Sequence, residues 1–370
     1  MASSKGATPQ GTRAYADRFP ELKKAAHFRL AQGLTVSSIG LGTYLGPHNE
    51  TTDTKYCESV KTALQTGCNL FDSAINYRFQ RSERAIGRAL KELIGGGEFK
   101  REEIVIATKG GFIPFDGEPP RDARDYFQKT FADAGIAAFD DVVAGCHCMT
   151  PSYLRHQLET SLSNLGVETI DIYYVHNPEM QTEEVSREAF YERLEAAFAQ
   201  LEKSVKDGKI QFYGTATWNG YRAHPEDSEY LELRKIVDAA KKVGGDKHHF
   251  RFVQLPYNLG MVEAFGLQNQ PFGSRKVSLL QAAKELGLNV IGSATLLQRR
   301  LVSGFPTALQ KNMPGLATDA QRAIQFARSS PGLTASLVGM SSVRHVRENL
   351  ETAKTPPLNP DQLKALFQQA

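Results

Sequence analysis

Four side chains stand out for the chemistry they could do together: Asp72, Tyr77, Lys109 and His176. Asp72, Lys109 and His176 follow short apolar runs in NLFDSAINY (69–77), EIVIATKGG (103–111) and TIDIYYVHNP (169–178), and Tyr77 lies five positions after Asp72. An ammonium beside a phenol favours the phenolate and draws down a pKa of about 10. Lys109 can supply that charge, Asp72 can hold the lysine and keep it protonated, and His176 can donate a hydrogen bond to a substrate oxygen. Such a set suits a reaction in which an oxygen gains or loses a proton while its carbon reacts. Singly, each residue has a plainer reading: Asp72 as a cap or turn residue, Lys109 as a solvated charge, His176 as a satisfied polar group, Tyr77 as a surface or core aromatic. Their shared position decides between the readings, because the strand ends of a parallel barrel converge on one face.

The elements that would place them can be counted. Candidate strands lie at 38–41, 70–71, 104–108, 170–175, 210–214, 252–255, 289–292 and 335–338. Between them apolar residues recur at helical spacing, as in Leu154, Leu158, Leu162 and Leu165, or Phe190, Leu194, Phe198 and Leu201. Strand and helix alternating in this way predict an α/β fold, a (β/α)8 TIM barrel whose strands are covered on both sides and so read as nearly continuous apolar runs. No Pro-, Gly- or Ser-rich linker divides the chain. The expectation is an N-terminal extension over 1–26 and a single barrel domain over 27–370, opening with a hairpin in which 27–30 and 34–38 flank Gly33. After Lys109 roughly forty residues pass before the next helix near Pro151, far more than a usual βα connection, which marks an active-site loop after strand three. Within it Tyr126, Phe127, Phe131 and Ala134 have helical spacing and PFDGEPP is turn-rich.

Composition sets the context. With 370 residues, 41% hydrophobic and 23% charged, the chain is ordinary for a globular protein. A net charge of +3 without basic runs argues against nucleic acid as a partner. The first residues lack the apolar core of a signal peptide and no apolar run is long enough to cross a membrane, so a cytoplasmic location is expected. The four cysteines do not make a disulfide framework, and Cys57 and Cys68 read as core residues. Cys146, His147 and Cys148 lack the spacing of common zinc sites; no metal is expected, and a place on the substrate side of the barrel mouth is.

The combination resembles the aldo-keto reductase superfamily over nearly the whole barrel. GLGTY (40–44), FDSAINY with SERAIGRAL (82–90), TKGG and SLSNLGVETIDIYYVHNP (161–178) are similar to the family's first four strands and their helices, and its catalytic tetrad falls on Asp72, Tyr77, Lys109 and His176 without substitution. The resemblance implies hydride transfer between a nicotinamide cofactor and a carbonyl or alcohol such as an aldehyde, ketone or sugar, with Tyr77 as general acid in reduction. A G-x-G-x-x-G dinucleotide fingerprint is absent after the first strand, so a Rossmann dehydrogenase is not supported.

By the same resemblance, cofactor contacts fall on Gly42, Thr43, Asp72, Thr217, Gln254, Ser293, Leu296, Met340, Ser341, Glu348 and Asn349, and substrate contacts on Tyr44, Tyr77, His176 and Trp218. Gln254 matches the glutamine that holds the carboxamide, and Glu348 and Asn349 match an adenine-binding pair. Three places depart. Ala216 and Thr217 replace a Ser-Asn pair, Ser293 stands where an aromatic residue often stacks on the nicotinamide, and Ser341 and Ser342 stand where a basic residue commonly meets a 2′-phosphate. Arg344, His345 and Arg347, or Arg299 and Arg300, can compensate, so NADP(H) is expected with NAD(H) open. Two other classes stay open: a Schiff-base aldolase using Lys109, which Asp72 opposes, and a nicotinamide-binding sensor or regulatory subunit with slow turnover. The substrate's identity, the oligomeric state and the role of the 110–149 loop are not legible in the sequence.

Overall fold

In the computed structural model, which describes residues 5–367, eight parallel strands close into a barrel. Residues 1–4 of the expected extension and 368–370 of the expected domain lie outside the described residues. A hairpin of β1 (Phe28–Ala31) and β2 (Leu34–Ser37) comes first. Its two loop residues, Gln32 and Gly33, have φ of 48° and 86°, which matches the tight turn whose twist suits paired strands. The barrel strands are β3 (Ile39–Gly42), β4 (Leu70–Asp72), β5 (Val105–Gly110), β6 (Ile170–His176), β7 (Ile210–Ala216) and β8 (Phe250–Pro256). A second small hairpin, β9 (Gln270–Phe272) and β10 (Arg275–Val277), interrupts the alternation, and β11 (Asn289–Ser293) and β12 (Leu333–Gly339) complete the barrel by pairing back to β3. That second hairpin is not foreseen from the sequence; it turns at Gly273 (φ 63°) and its six strand residues are too few to show a period.

A helix follows each barrel strand: Glu50–Gln65, Arg81–Gly95, Pro151–Leu165, Arg187–Lys206, Leu233–Gly244, Leu279–Glu285, Asp319–Ser329 and Val343–Leu350. These are the eight expected from the spacing of apolar residues. Alternation along the strands sorts their side chains into two layers. Phe71, Ile106, Tyr173, Val175, Val253 and Val338 join the core beneath the helices. Leu70, Val105, Ala107, Ile172, Tyr174, Phe252, Ile291 and Leu337 form a separate cluster with Leu34 and Val36 of the first hairpin, which fills the barrel from its base. The same parity carries the chain two residues further to Asp72, Lys109, His176, Gln254 and Ser293, so the inward-facing series ends in polar groups at the C-terminal mouth.

The described part of 1–26 is not detached from the barrel. Helix Pro9–Asp17 buries Tyr15, whose hydroxyl donates to the Leu64 carbonyl at 2.6 Å, and the Ala7 N–H donates to Asp171 at 2.7 Å. The long loop after β5 has a small core of its own, in which Phe127, Phe131, Ala137, Cys148 and Tyr153 are buried together. Helix Ala123–Phe127, continued as a wide turn over Gln128–Ala132, accounts for the spacing of Tyr126, Phe127 and Phe131, while Ala134 lies in the turn beyond it. Its two ends are tied together by the Ile113 N–H to the Cys146 carbonyl at 2.7 Å and the Cys148 N–H to the Gly111 carbonyl at 2.8 Å. Among the described residues no helix is long and apolar enough to cross a membrane.

Candidate active site

The four residues singled out at the start meet at the barrel mouth. Lys109 is 1% exposed and its ammonium donates to Asp72 Oδ1 at 2.5 Å and to the Ser73 carbonyl at 2.7 Å. The other Asp72 oxygen accepts from Gln254 Nε2 at 2.8 Å, which fixes the carboxylate from β8, on the opposite side of the barrel. The Lys109 nitrogen lies 4.8 Å from the centre of the Tyr77 ring, and the His176 ring stands edge-on to Tyr77 at 5.8 Å. Tyr44 and Phe112 pack edge-on against Tyr77 and His176, both at 4.9 Å.

Burial governs the protonation of this group. It would by itself depress the Lys109 ammonium, but Asp72 and Tyr77 outweigh it and hold the lysine above its ordinary value. A Schiff-base nucleophile needs the neutral amine, so this lysine is poorly suited to aldolase chemistry. For Tyr77 the expectation from charge alone is corrected: desolvation raises the phenol above its ordinary value, and Lys109 only opposes that rise. The tyrosine therefore keeps its proton, as a donor must. Burial, with Lys109 and His147 adding to it, lowers His176 well below the usual histidine range, so its ring is neutral.

Tyr77 itself lies beyond β4, and the residues after it hold it by an unusual backbone. Arg78, Phe79 and Gln80 have φ of 49°, 57° and 68°, three consecutive left-handed residues, none of them glycine. Side-chain anchors offset that strain. The Arg78 guanidinium donates to the Pro47 carbonyl at 2.9 Å and to Asp53 at 2.5 Å, Phe79 meets the His48 ring at 4.9 Å, and Gln80 donates to the Phe115 carbonyl at 3.2 Å. The Tyr77 turn thus ties the loops after β3 and β5 together.

A cavity of about 840 Å³ runs from Tyr77, Phe112 and His176 to Arg344, His345, Glu348 and Asn349 at the helix after β12. Ten of the eleven expected cofactor contacts line it: Gly42, Thr43, Asp72, Thr217, Gln254, Ser293, Leu296, Ser341, Glu348 and Asn349. Met340 does not; between Gly339 and Ser341, which face the cavity, it points the other way and is wholly buried in the core. The Thr43 hydroxyl is turned to the Asp72 carbonyl and Ser73, at 3.1 and 3.0 Å. Tyr44, Tyr77, His176 and Trp218 all line the cavity. Of the candidate basic residues Arg299, Arg344 and His345 reach it, while Arg300 and Arg347 do not line it. Sequence reasoning passed over Asn76, Asn177, Thr295 and Gln298, which also line it. Asn177, Ala294 and Gln298 have positive φ, so the backbone turns that present them have no glycine to signal them.

Cys146, His147 and Cys148 close the loop beside His176. Both His147 nitrogens are engaged, one with the His176 carbonyl at 2.7 Å and one with Gln181 at 2.9 Å, and the Cys148 sulfur faces Thr150 at 3.5 Å.

A model of the Aldo/keto reductase family matches residues 38–236, more than half of the chain. The chain belongs to the aldo/keto reductase family. It is accordingly an NAD(P)H-dependent oxidoreductase on a (β/α)8 barrel. Among curated proteins it is 25% identical over 355 residues, 90% of each chain, to a protein of Schizosaccharomyces pombe provisionally named as a voltage-gated potassium channel subunit beta. It is 28% identical over 188 residues to the NADH-specific methylglyoxal reductase of Escherichia coli, covering 50% of this chain and 49% of that one. Solved structures share the fold: the glycerol dehydrogenase of Gluconobacter oxydans superimposes with a TM-score of 0.62 at 20% identity, covering 93% of this chain and 95% of that one. An aldo/keto reductase of Klebsiella pneumoniae in complex with NADP and acetate gives 0.61 at 17% identity, covering 92% and 94%.

The residues of this aldo/keto reductase fit a nicotinamide cofactor. The hydroxyls of Thr217 and Thr295 are buried at the cavity without a hydrogen-bond partner among the described residues. Arg299 and Arg344 line it without a carboxylate within salt-bridge distance among the described residues, which suits a ligand carrying phosphates.

Proposed function

We propose that the protein is an NADPH-preferring carbonyl reductase in which Tyr77 is the general acid. The observation that carries this reading is the cluster of half-buried Tyr77 with buried Lys109, Asp72 and His176 facing the cavity. The nicotinamide, when bound, supplies or takes up a hydride at the substrate carbon. Tyr77, kept protonated by burial, delivers its proton to the substrate oxygen. Lys109, held charged by Asp72, stabilises the phenolate left behind, so the rise in the Tyr77 pKa is offset as the proton moves. His176, neutral and with its Nδ1 unpaired among the described residues, orients the substrate oxygen through its other ring nitrogen. In this reading Gln254 and Thr217 hold the carboxamide, Ser293 and Leu296 border the nicotinamide, and Glu348 and Asn349 hold the adenine, which is supported by all six lining the cavity. Preference for NADPH rests on Arg344 and Arg299, which stand in for the basic residue replaced by Ser341.

A panel of aldehydes, ketones and sugars, assayed with NADPH and NADH by absorbance of the reduced nicotinamide, tests the reading. Tyr77→Phe is expected to abolish turnover while leaving NADPH affinity intact, and undiminished turnover would sink it. Likeness to the S. pombe protein along 90% of both chains supports a second reading, a nicotinamide-binding regulatory subunit with slow turnover. That reading gains if NADPH binds tightly and no carbonyl in the panel is reduced.

A further inference from the structure

We propose that His147 is a positioning residue for His176, acting through a hydrogen-bonded relay that runs from Arg193 through Gln181. The inference rests on the reading of His176 as the group that orients the substrate oxygen. His176 has little of its own to fix it: its Nδ1 is buried and has no hydrogen-bond partner among the described residues. What holds it is its backbone, the edge-on ring of Phe112 at 4.9 Å and, further off, that of Tyr77 at 5.8 Å.

The backbone and the Phe112 ring both lead to His147. Arg193, on the helix after β6, donates to Gln181 Oε1 at 2.5 Å, which orients that amide so that its nitrogen faces His147 Nδ1 at 2.9 Å. An amide nitrogen can only donate, so Nδ1 must accept, and the proton of the neutral imidazole sits on Nε2. Nε2 then donates to the His176 carbonyl at 2.7 Å. Burial keeps the ring neutral by lowering its pKa to about 4. The Phe112 ring stands between the two imidazoles, 5.6 Å from His147, and the Phe112 and His147 backbones bridge. Gly111 leaves room for the contact: a Cβ there would lie 2.8 Å from His147 Nε2 and 2.9 Å from the His176 oxygen. Four separate pieces of chain are thereby fixed to one carbonyl, that of the residue which must point at the substrate.

The test uses His147→Phe, which keeps a ring but no donor, and His147→Gln, whose amide can reach the same carbonyl. NADPH affinity by fluorescence and reduction of p-nitrobenzaldehyde are measured beside Tyr77→Phe. His147→Phe is expected to lower kcat roughly a hundredfold, the effect of a displaced reacting group, with NADPH affinity changed by less than about twofold. His147→Gln should recover most of the loss, and Gln181→Leu, which removes the donor that anchors His147 Nδ1, should lower kcat in the same sense. In the native protein, nitrogen-labelled histidine spectra should show His147 neutral and protonated at Nε2, with the Nδ1 resonance shifted in Gln181→Leu, where its donor is gone. Unchanged kcat in both His147→Phe and Gln181→Leu overturns the proposal. So do losses of kcat and NADPH affinity that are equal in His147→Phe and His147→Gln, because they mark a merely structural role. If Tyr77→Phe stays active, the reading of the active site fails; if it is inactive while His147→Phe is not, only the relay fails.

Discussion

Asp72→Asn probes the arrangement most directly, because it removes one charge of a buried pair and leaves the shape nearly unchanged. Asp72 and Lys109 side chains are 5% and 1% exposed and 2.5 Å apart. Removing one partner of such a pair strands the other charge, at about 3–5 kcal/mol. A second route gives a similar size: a lysine that escapes by losing its proton near pH 7 gives up about three pKa units, or about 4 kcal/mol. With an unfolding entropy of about 2.1 cal/mol/K per residue over 370 residues, Tm should fall by about 4–6 °C. The pH dependence carries the sign. In the native protein the Lys109 pKa is raised, so its contribution is complete below the ordinary lysine pKa and is lost only above it. In the variant burial wins and the folded pKa falls below the unfolded one, so the unfolded chain binds more protons and stability rises with pH. Thermal unfolding of both proteins between about pH 6 and 9 should therefore show a gap that narrows as pH rises. A gap below about 1 kcal/mol, or one that stays flat, would refute the account of a charged lysine held by Asp72.

The left-handed turn after Tyr77 gives a comparison: Arg78→Ala should lose the anchor and keep the strain, whereas Arg78→Gly loses both, so the glycine variant should be the more stable by about 1 kcal/mol in urea unfolding. The reverse order would show that the backbone there carries little strain. Gly111→Ala should lower turnover sharply, since its Cβ would press on His147 and the His176 carbonyl from a backbone at φ 143°; native kinetics in that variant would disprove the tight packing. Burial lifts the Glu179 carboxyl to about 7 against three backbone N–H groups it accepts, those of Trp218, Asn219 and Gly220. A raised folded pKa means this contribution is full below about pH 4.5 and is lost as pH rises through about 7, so relative to Glu179→Gln the native protein should lose about 3 kcal/mol across that window. A difference in chemical-denaturation stability that is constant with pH would count against it. Arg344→Ala should weaken NADPH binding by roughly tenfold, the loss of one charge-assisted contact, and leave NADH binding unchanged; equal weakening of both would remove Arg344 from cofactor choice.

Local pattern determines a good deal of this protein. Apolar residues at helical spacing mark the eight helices, β-branched runs mark the strands, and parity along them puts Asp72, Lys109 and His176 on the inner face two residues past the packed layer. Gly33 marks the first hairpin because only a few residue types tolerate positive φ. The protonation of Tyr77 could not be settled this way. Proximity of a lysine argues for a lowered pKa, and only the closed barrel mouth shows that desolvation exceeds that charge. Which arginines reach the cavity is likewise a matter of packing: Arg299 and Arg344 do, and their neighbours Arg300 and Arg347 do not, although nothing in their types distinguishes them. Cys146, His147 and Cys148 read as a metal question in one dimension; folding the long loop back against β6 makes His147 a hydrogen-bond donor to the His176 carbonyl. Spacing along a chain encodes the direction of a side chain within its own element, whereas solvation, tautomer and partner depend on atoms brought close from distant segments, and those only the tertiary structure supplies.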